Sequence, residues 1–419
     1  MMDNMKKWFL IVFALMGICS FSHMVQAENL SDFSNGSIMI YDDATLEDGK
    51  TTIRWNAIAL PTGSSATFSF DVELADNRQF IDAEQYSTNM TALTIEQSAF
   101  GDHGGRFYVR VRVVMHTTGE DATTTAGDWC TPAEMVYIKI NKNNFPGMYK
   151  VLKNGGKYNS SNGVKKIDYD QNGDGWLDPE EINDIWMLGT LNITKKVNGV
   201  YKTTKAPDVS SFKGIEYFTN LNSVHIARYS GKTADLSKCP ARWVDIRGIT
   251  AKQFTLNAPN AKDVIVEASH DTKMTKLDVS KCKNVIDLTA YGNNGTKTLK
   301  LPKNKKKLKV LSVSEIGAKS LNLNAYTKLQ QLYVYDCDVK SVKVNKCKNL
   351  RYIYFWYCDN IKSLNLKSNT KLRGADFYKT PGLTATTVKK SKSGKYTWNK
   401  GKWWYGTSAY KKDMKKLYQ

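Results

Sequence analysis

Leu329-Gln330-Gln331-Leu332-Tyr333-Val334-Tyr335 is the stretch that decides the fold, because its apolar pattern returns along half the chain. The set Leu329/Leu332/Val334 recurs as Leu350/Ile353/Phe355 and Leu372/Ala375/Phe377. Toward the N-terminus it recurs as Leu308/Leu311/Val313, Val285/Leu288/Ala290, Ala261/Val264/Val266, Ala241/Val244/Ile246 and Leu221/Val224/Ile226. The intervals are 20, 20, 24, 23, 21, 21 and 22 residues. About thirteen residues into each unit come further apolar residues: Leu236, Phe254/Leu256, Leu277/Val279, Leu299/Leu301, Leu321/Leu323, Val342/Val344 and Leu364/Leu366. A period of this size means one supersecondary unit per repeat, stacked so that neighbours bury each other's apolar face.

Alternate residues of a strand face opposite ways. With Leu332/Val334, Ile353/Phe355 and Ala375/Phe377 inward, the last coils present Gln331-Tyr333-Tyr335, Tyr352-Tyr354-Trp356 and Gly374-Asp376-Tyr378. Earlier coils present Ser223-His225-Ala227, Trp243-Asp245-Arg247, Asp263-Ile265-Glu267 and Asp287-Thr289-Tyr291. Aromatic residues are therefore concentrated in the C-terminal coils. The pattern resembles that of leucine-rich repeats, which implies a solenoid of about eight coils over residues 191–390, used for binding. The candidate ligand-binding residues are Tyr333, Tyr335, Tyr352, Tyr354, Trp356, Asp376 and Tyr378. Such rings stack on sugars or anchor a protein at low entropic cost. The structural alternative is a cross-strand aromatic ladder that only stabilises the sheet.

Asp170-x-Asn172-x-Asp174-Gly175-x-x-Asp178-x-x-Glu181 has the oxygen ligands, and the turn glycine, of a twelve-residue cation loop. Calcium takes six to eight oxygens, and this spacing makes them converge. Asp170, Asn172 and Asp174 would coordinate by side chain, Trp176 by its carbonyl, Asp178 directly or through water, and Glu181 bidentately. The loop resembles an EF-hand, which implies one helix–loop–helix within 144–190 and calcium as cofactor. Asp178-Pro179-Glu180-Glu181 reads as a helix start. The exiting helix is expected to carry Ile182, Ile185, Trp186 and Leu188 and stop at Gly189, with Leu191-x-Ile193 as a first half-coil. With one loop, calcium is expected to act as a structural staple between modules.

Residues 1–27 read as an export signal: Lys6-Lys7, an apolar run from Trp8 to Ile18, then Val25-Gln26-Ala27. The run is too short to span a bilayer stably, so a secreted or wall-associated protein without a membrane anchor is expected. Ile53/Trp55, Phe68/Phe70/Val72/Leu74 and Phe107/Val109/Val111/Val113 then alternate with other residues, as antiparallel strands do. Thr52-Ile53-Arg54-Trp55, Phe107 to Arg112 and Gly127-Asp128-Trp129-Cys130-Thr131-Pro132 resemble a fibronectin type III module over 36–142, departing from it where Phe107 replaces a tyrosine. That resemblance implies a β-sandwich spacer. Asn144-Phe145-Pro146, the cation loop, Phe212 to Leu221 and Leu277-Asp278-Val279-Ser280-Lys281-Cys282 together resemble exported multidomain leucine-rich-repeat proteins of Gram-positive gut and rumen bacteria. The fold class expected is mainly β and multidomain.

Charge is placed unevenly. Residues 28–146 hold 8 Lys+Arg against 17 Asp+Glu, a net of −9, whereas the whole chain carries +20. With +1 in the leader, residues 147–419 carry about +28. Such a surface attracts anionic wall polymer. Cys239, Cys282 and Cys347 share one row, two and three coils apart at roughly 5 Å per coil, too far to bridge. Cys337 and Cys358 lie on adjacent coils and either bridge or pack as thiols. Residues 391–419 form a basic aromatic tail. Tyr396 to Tyr405 reads as a hairpin cap, and Gly401-Lys402-Trp403-Trp404-Tyr405 resembles one repeat of Gram-positive wall-binding modules.

The expected function is non-enzymatic binding or adhesion at the cell surface, with a protein or glycan held on the aromatic face. A wall-associated scaffold held to anionic polymer is one alternative, and a hydrolase accessory module the other. The four histidines after the leader (His103, His116, His225, His270) show no metal-ligand spacing and lie beside no plausible nucleophile. No nucleic-acid partner is expected, and a monomer is.

Overall fold

The computed structural model describes residues 38–41, 46–47, 49–56, 66–118, 120, 122–198, 200–380, 383 and 397–398. The leader and nearly all of the tail lie outside them. By compactness the chain divides into Met1–Ile138 with Asp178–Glu180, and Lys139–Leu177 with Glu181–Gln419. Among the described residues no helix is long and apolar enough to cross a membrane.

In the first unit Lys50–Arg54 pairs antiparallel with Ala92–Glu96. Thr67–Ala75 lies between Glu84–Thr88 and the long strand Gly104–His116, which also pairs with Ala133–Lys139. The expected alternation buries Ile53, Trp55, Phe70, Val72, Leu74, Phe107, Val109, Val111 and Val113. Trp55 meets Phe70 edge-on at 5.4 Å between ring centres. On one sheet surface Arg110 and Arg112 stand over Trp129, each 4.5 Å from its ring centre.

In the second unit ten parallel strands form one sheet, running from Met187–Gly189 through Gly374–Asp376 to Thr397–Trp398. Val224, Val244, Val264, Leu288, Leu311, Leu332, Ile353 and Ala375 are in register, one per coil. All eight are buried, as the repeat requires. Each of these valine, leucine and isoleucine side chains contributes roughly 1.5–3 kcal/mol of burial, and Ala375 less. On another side of the coils Thr233–Asp235, Gln253–Asn257, Lys276–Asp278 and Thr298–Lys300 form a second parallel sheet. Ser320–Asn322 and Ser341–Lys343 continue this side as a pair. Leu256, Phe254, Leu277, Leu321 and Val342 close the core there. The fold is a solenoid of stacked parallel coils, as the repeat predicts.

The start of the solenoid differs from expectation. Helix α1 (Tyr149–Asn154) is followed by a hairpin, Gly156–Ser160 with Gly163–Ile167, so a strand enters the cation loop where a helix–loop–helix has a helix. The exiting helix α2 spans only Pro179–Asp184. Leu188 belongs to the first strand of the solenoid sheet, in register with Val224. Ile193 opens an exposed hairpin, Ile193–Val197 with Val200–Thr204, and forms no half-coil.

All six cysteines described are buried free thiols, so Cys337 and Cys358 take the second of their two expected states. Each donates to the carbonyl two residues before it and to one on the preceding coil: Cys337 to Tyr335 and Val313, Cys358 to Trp356 and Val334. Thr380, at the equivalent place one coil later, bonds Tyr378 and Phe355 in the same way. The position demands a small donor. Burial pushes the Cys337 thiol up to about 12 and the Cys358 thiol to about 11.

Candidate functional site

The strand register brings the aromatic residues of the last coils side by side. Tyr333 pairs with Tyr354, and Tyr335 with Trp356. The Tyr333 and Tyr354 rings stack in parallel, 4.7 Å between centres. Tyr335 and Trp356 are tilted at 6.5 Å, and Trp356 meets Tyr378 edge-on at 6.0 Å. Tyr335 and Tyr378 are exposed, and Tyr333 and Trp356 half-buried. Tyr352, Tyr354 and Asp376 are 3%, 6% and 3% exposed, so the expected open row narrows. The cause is crowding at a strand spacing of about 4.8 Å. Tyr352 leans over Gly374, where a Cβ would stand 3.0 Å from the Tyr352 ring.

What remains open is a cavity of about 500 Å³. Tyr333, Tyr335, Tyr354 and Trp356 line one side. Arg247, Glu267, His270, Tyr291 and Glu315 complete it, and the sequence reading nominated none of these as ligand residues. Tyr291 was legible as an outward residue two coils before the cluster. Glu315 was not, because near the end of its strand it takes a left-handed conformation, φ 53°, that breaks the alternation. Asp336, Tyr357 and Lys379 take the same conformation at the equivalent place in the next coils (φ 46°, 56° and 45°). Gly248 fills that place in an early coil, at φ 56°. A non-glycine residue there costs about 1–2 kcal/mol, and strain of this kind gathers at functional sites.

A second cavity of about 660 Å³ shares Arg247, Glu267, Ala268 and His270 with the first, so the two form one groove. Its far end holds His225, Trp243 and Asp245. Arg247 spans two carboxylates, with Nε 2.8 Å from Asp245 and Nη1 3.3 Å from Glu267. Burial alone would raise the Asp245 carboxyl, but hydrogen bonds and charge from His225 and Arg247 outweigh it and hold the group below the usual carboxylate range. His225 and Asp245 do meet across adjacent coils, 3.8 Å apart. Beside them Arg247 takes up the rest of the carboxylate, which makes the pair part of an ion-pair network.

In the cation loop the side-chain oxygens turn inward on the backbone. Asp170 Oδ2 accepts from Gly175 N–H at 3.0 Å, Asn172 Oδ1 from Asp174 N–H at 3.0 Å, and Asp174 Oδ1 from Trp176 N–H at 2.7 Å. Glu181 reaches back to the N–H groups of Gln171 and Asn172. Gly173 and Gly175 supply left-handed turns at φ 77° and 86°. Asp178 and Glu181 are buried, and Asp170 Oδ1 is buried with no hydrogen-bond partner. Burial, aided by the nearby Asp174 charge, raises the Asp170 carboxyl against the N–H bonds it accepts. Among the described residues no three acidic, histidine or cysteine side chains are drawn together at metal-ligand distance. The donors fit a hard cation in kind: all are oxygens, and an orphaned buried carboxylate oxygen lacks the charge that would compensate it.

Neither a protein-family model nor a curated protein matches the chain. Among the solved structures that resemble it are two from Listeria monocytogenes. Internalin C2 from Listeria monocytogenes is 16% identical with a TM-score of 0.33, over 57% of this chain and 96% of that one. The functional domain of InlJ from Listeria monocytogenes, which includes a cysteine ladder, is 13% identical with a TM-score of 0.19, over 59% of this chain and 70% of that one. At these values neither likeness bears on function.

Proposed function

We propose that the protein is a non-enzymatic extracellular binding protein whose solenoid holds a protein or glycan ligand on the C-terminal part of its strand face. The observation that carries this reading is the cavity lined by Tyr291, Tyr333, Tyr335, Tyr354 and Trp356. Aromatic side chains with few rotatable bonds, around a cavity of several hundred Å³, suit a binding surface. The paired rings also stabilise the sheet, so ladder and site are the same residues. Replacing Trp356 and Tyr335 with Ala is expected to lower ligand retention at least tenfold, about 1.4 kcal/mol, in pull-downs from wall polysaccharides and host or plant glycans. Circular dichroism should show the fold retained. Retention unchanged in a folded variant would remove the site from consideration.

The fibronectin-like sandwich is proposed as a spacer, and the cation loop as a structural calcium site formed by Asp170, Asn172, Asp174, Trp176, Asp178 and Glu181. Saturating calcium at 100 times its Kd is expected to stabilise the fold by about 2.7 kcal/mol. The rise in Tm should vanish with a chelator and in Asp174→Ala. An unchanged Tm on adding calcium would refute the assignment.

A second reading, attachment to anionic wall polymer, is favoured by the Lys-rich composition after residue 146. It places that contact away from the strand face, where the outward positions of the eight repeat strands contain no lysine.

A further inference from the structure

The strand face has the opposite charge to the rest of its unit. In register along the eight repeat strands, the outward positions carry Asp245, Asp263, Glu267, Asp287 and Asp376, with Arg247 as their sole cation. This occurs in the part of the chain that carries about +28. A random draw from that composition would place several lysines there. Arg247 is already shared between Asp245 and Glu267. Within the aromatic cavity the carboxylates are Glu267 and Glu315, and Glu315 keeps its left-handed backbone at a place that Gly248 fills in an earlier coil. Ring faces beside carboxylates, in a cavity whose one arginine is already paired and whose lining has no lysine, suit a cationic guest: the rings attract it through their quadrupoles and the carboxylates through charge, and Lys157 lines only the other cavity of the groove. The groove also has length. It runs from His225 and Trp243 to Tyr354 and Trp356, across seven strands spaced about 4.8 Å apart.

We propose that the groove binds an extended, lysine- or arginine-bearing polypeptide segment, with its cationic side chains among Glu267, Glu315, Tyr291, Tyr335 and Trp356. This rests on the reading of the strand face as a binding surface and names its partner. The lysines elsewhere on the unit repel such a peptide and so disfavour its binding outside the groove, while the groove's carboxylates favour it over neutral competitors.

The test is fluorescence anisotropy on the full-length protein with a labelled Lys-Gly-Ser repeat peptide, its Glu-Gly-Ser counterpart, and a neutral cello-oligosaccharide. The lysine peptide is expected to bind and the glutamate peptide to fail. The Glu267→Gln/Glu315→Gln double variant should weaken lysine-peptide binding at least tenfold, and Trp356→Ala should weaken it similarly. Raising salt from 50 to 500 mM should weaken it further. The Glu315→Gln single variant, which leaves the Arg247 pair intact, keeps the result interpretable if the double variant unfolds; it should cost at least threefold. Equal binding of both peptides, or lysine-peptide binding unchanged in Glu315→Gln, overturns the proposal. If the oligosaccharide alone binds, and loses affinity in Trp356→Ala, the proposal falls while the strand-face reading stands. If Trp356→Ala alters no binding at all, both fall.

Discussion

Asp376 shows how closely site and scaffold are joined. Its carboxylate is 3% exposed, and Oδ1 has no hydrogen-bond partner. Burial raises its pKa, while the Trp356 indole and the N–H groups of Phe377 and Tyr378 oppose the shift without cancelling it. A carboxyl raised in the folded state contributes stability that is complete below its unfolded value and is lost as pH rises through the folded one. Asp376→Asn should therefore stabilise the protein at pH 7. It should add little at pH 3, where the native carboxyl is already neutral. Thermal melts at the two values check both halves. The sequence placed Asp376 on the outward row correctly and misjudged its exposure. Alternation tells which way a side chain points, whereas exposure depends on what stands one strand away, here the Tyr352 ring lying over Gly374.

Among the elements, the segment ahead of the repeats explains why two separated motifs occur together. Phe145 stacks on Phe218 with ring centres 5.9 Å apart and planes 8° apart, and both are wholly buried. Gly214, with φ 91°, has the Phe145 ring 2.5 Å from where a Cβ would be. Gly147 meets the Ser211 backbone as closely. Gly214→Ala should cost about 2–4 kcal/mol, combining backbone strain with overpacking, read as a lower urea midpoint. Near the loop, the Tyr169 hydroxyl accepts from Gly189 N–H at 2.9 Å, which joins the cation loop to the first solenoid strand. That strand was hidden in the sequence because Ile182, Ile185 and Leu188 keep a three-residue period. One short helix followed by a turn and a strand buries the same residues as one longer helix would. The hairpin entering the loop was equally hidden, since Lys165 and Lys166 leave it exposed and without an apolar pattern. By contrast, the eight repeat strands were legible almost to the residue, because each contributes an inward position to one continuous core.

For the whole molecule, repetition makes the second unit a one-dimensional object in which each coil is held by its neighbours. Small donors maintain that contact from coil to coil. Asn260, Asn284 and Asn349 each bond a carbonyl 21 to 25 residues earlier, at 2.9, 2.9 and 3.0 Å. Thiols and hydroxyls at Cys337, Cys358 and Thr380 do the same at the strand ends. The sequence showed the charge asymmetry between halves of the chain and the outward carboxylates of the early coils, while register added which groups are neighbours, Asp263 beside Asp287 and Glu267 beside Tyr291. The parallel ladder also has a mechanical consequence. Its strands cross the direction in which coils are added, so tension along that direction loads one interstrand ladder at a time, as in opening a zip. A protein gripping a ligand on this sheet would yield coil by coil, each repeat of 20 to 24 residues releasing roughly 70–80 Å of chain. It would thus dissipate a sudden pull over a long distance and keep its remaining coils intact.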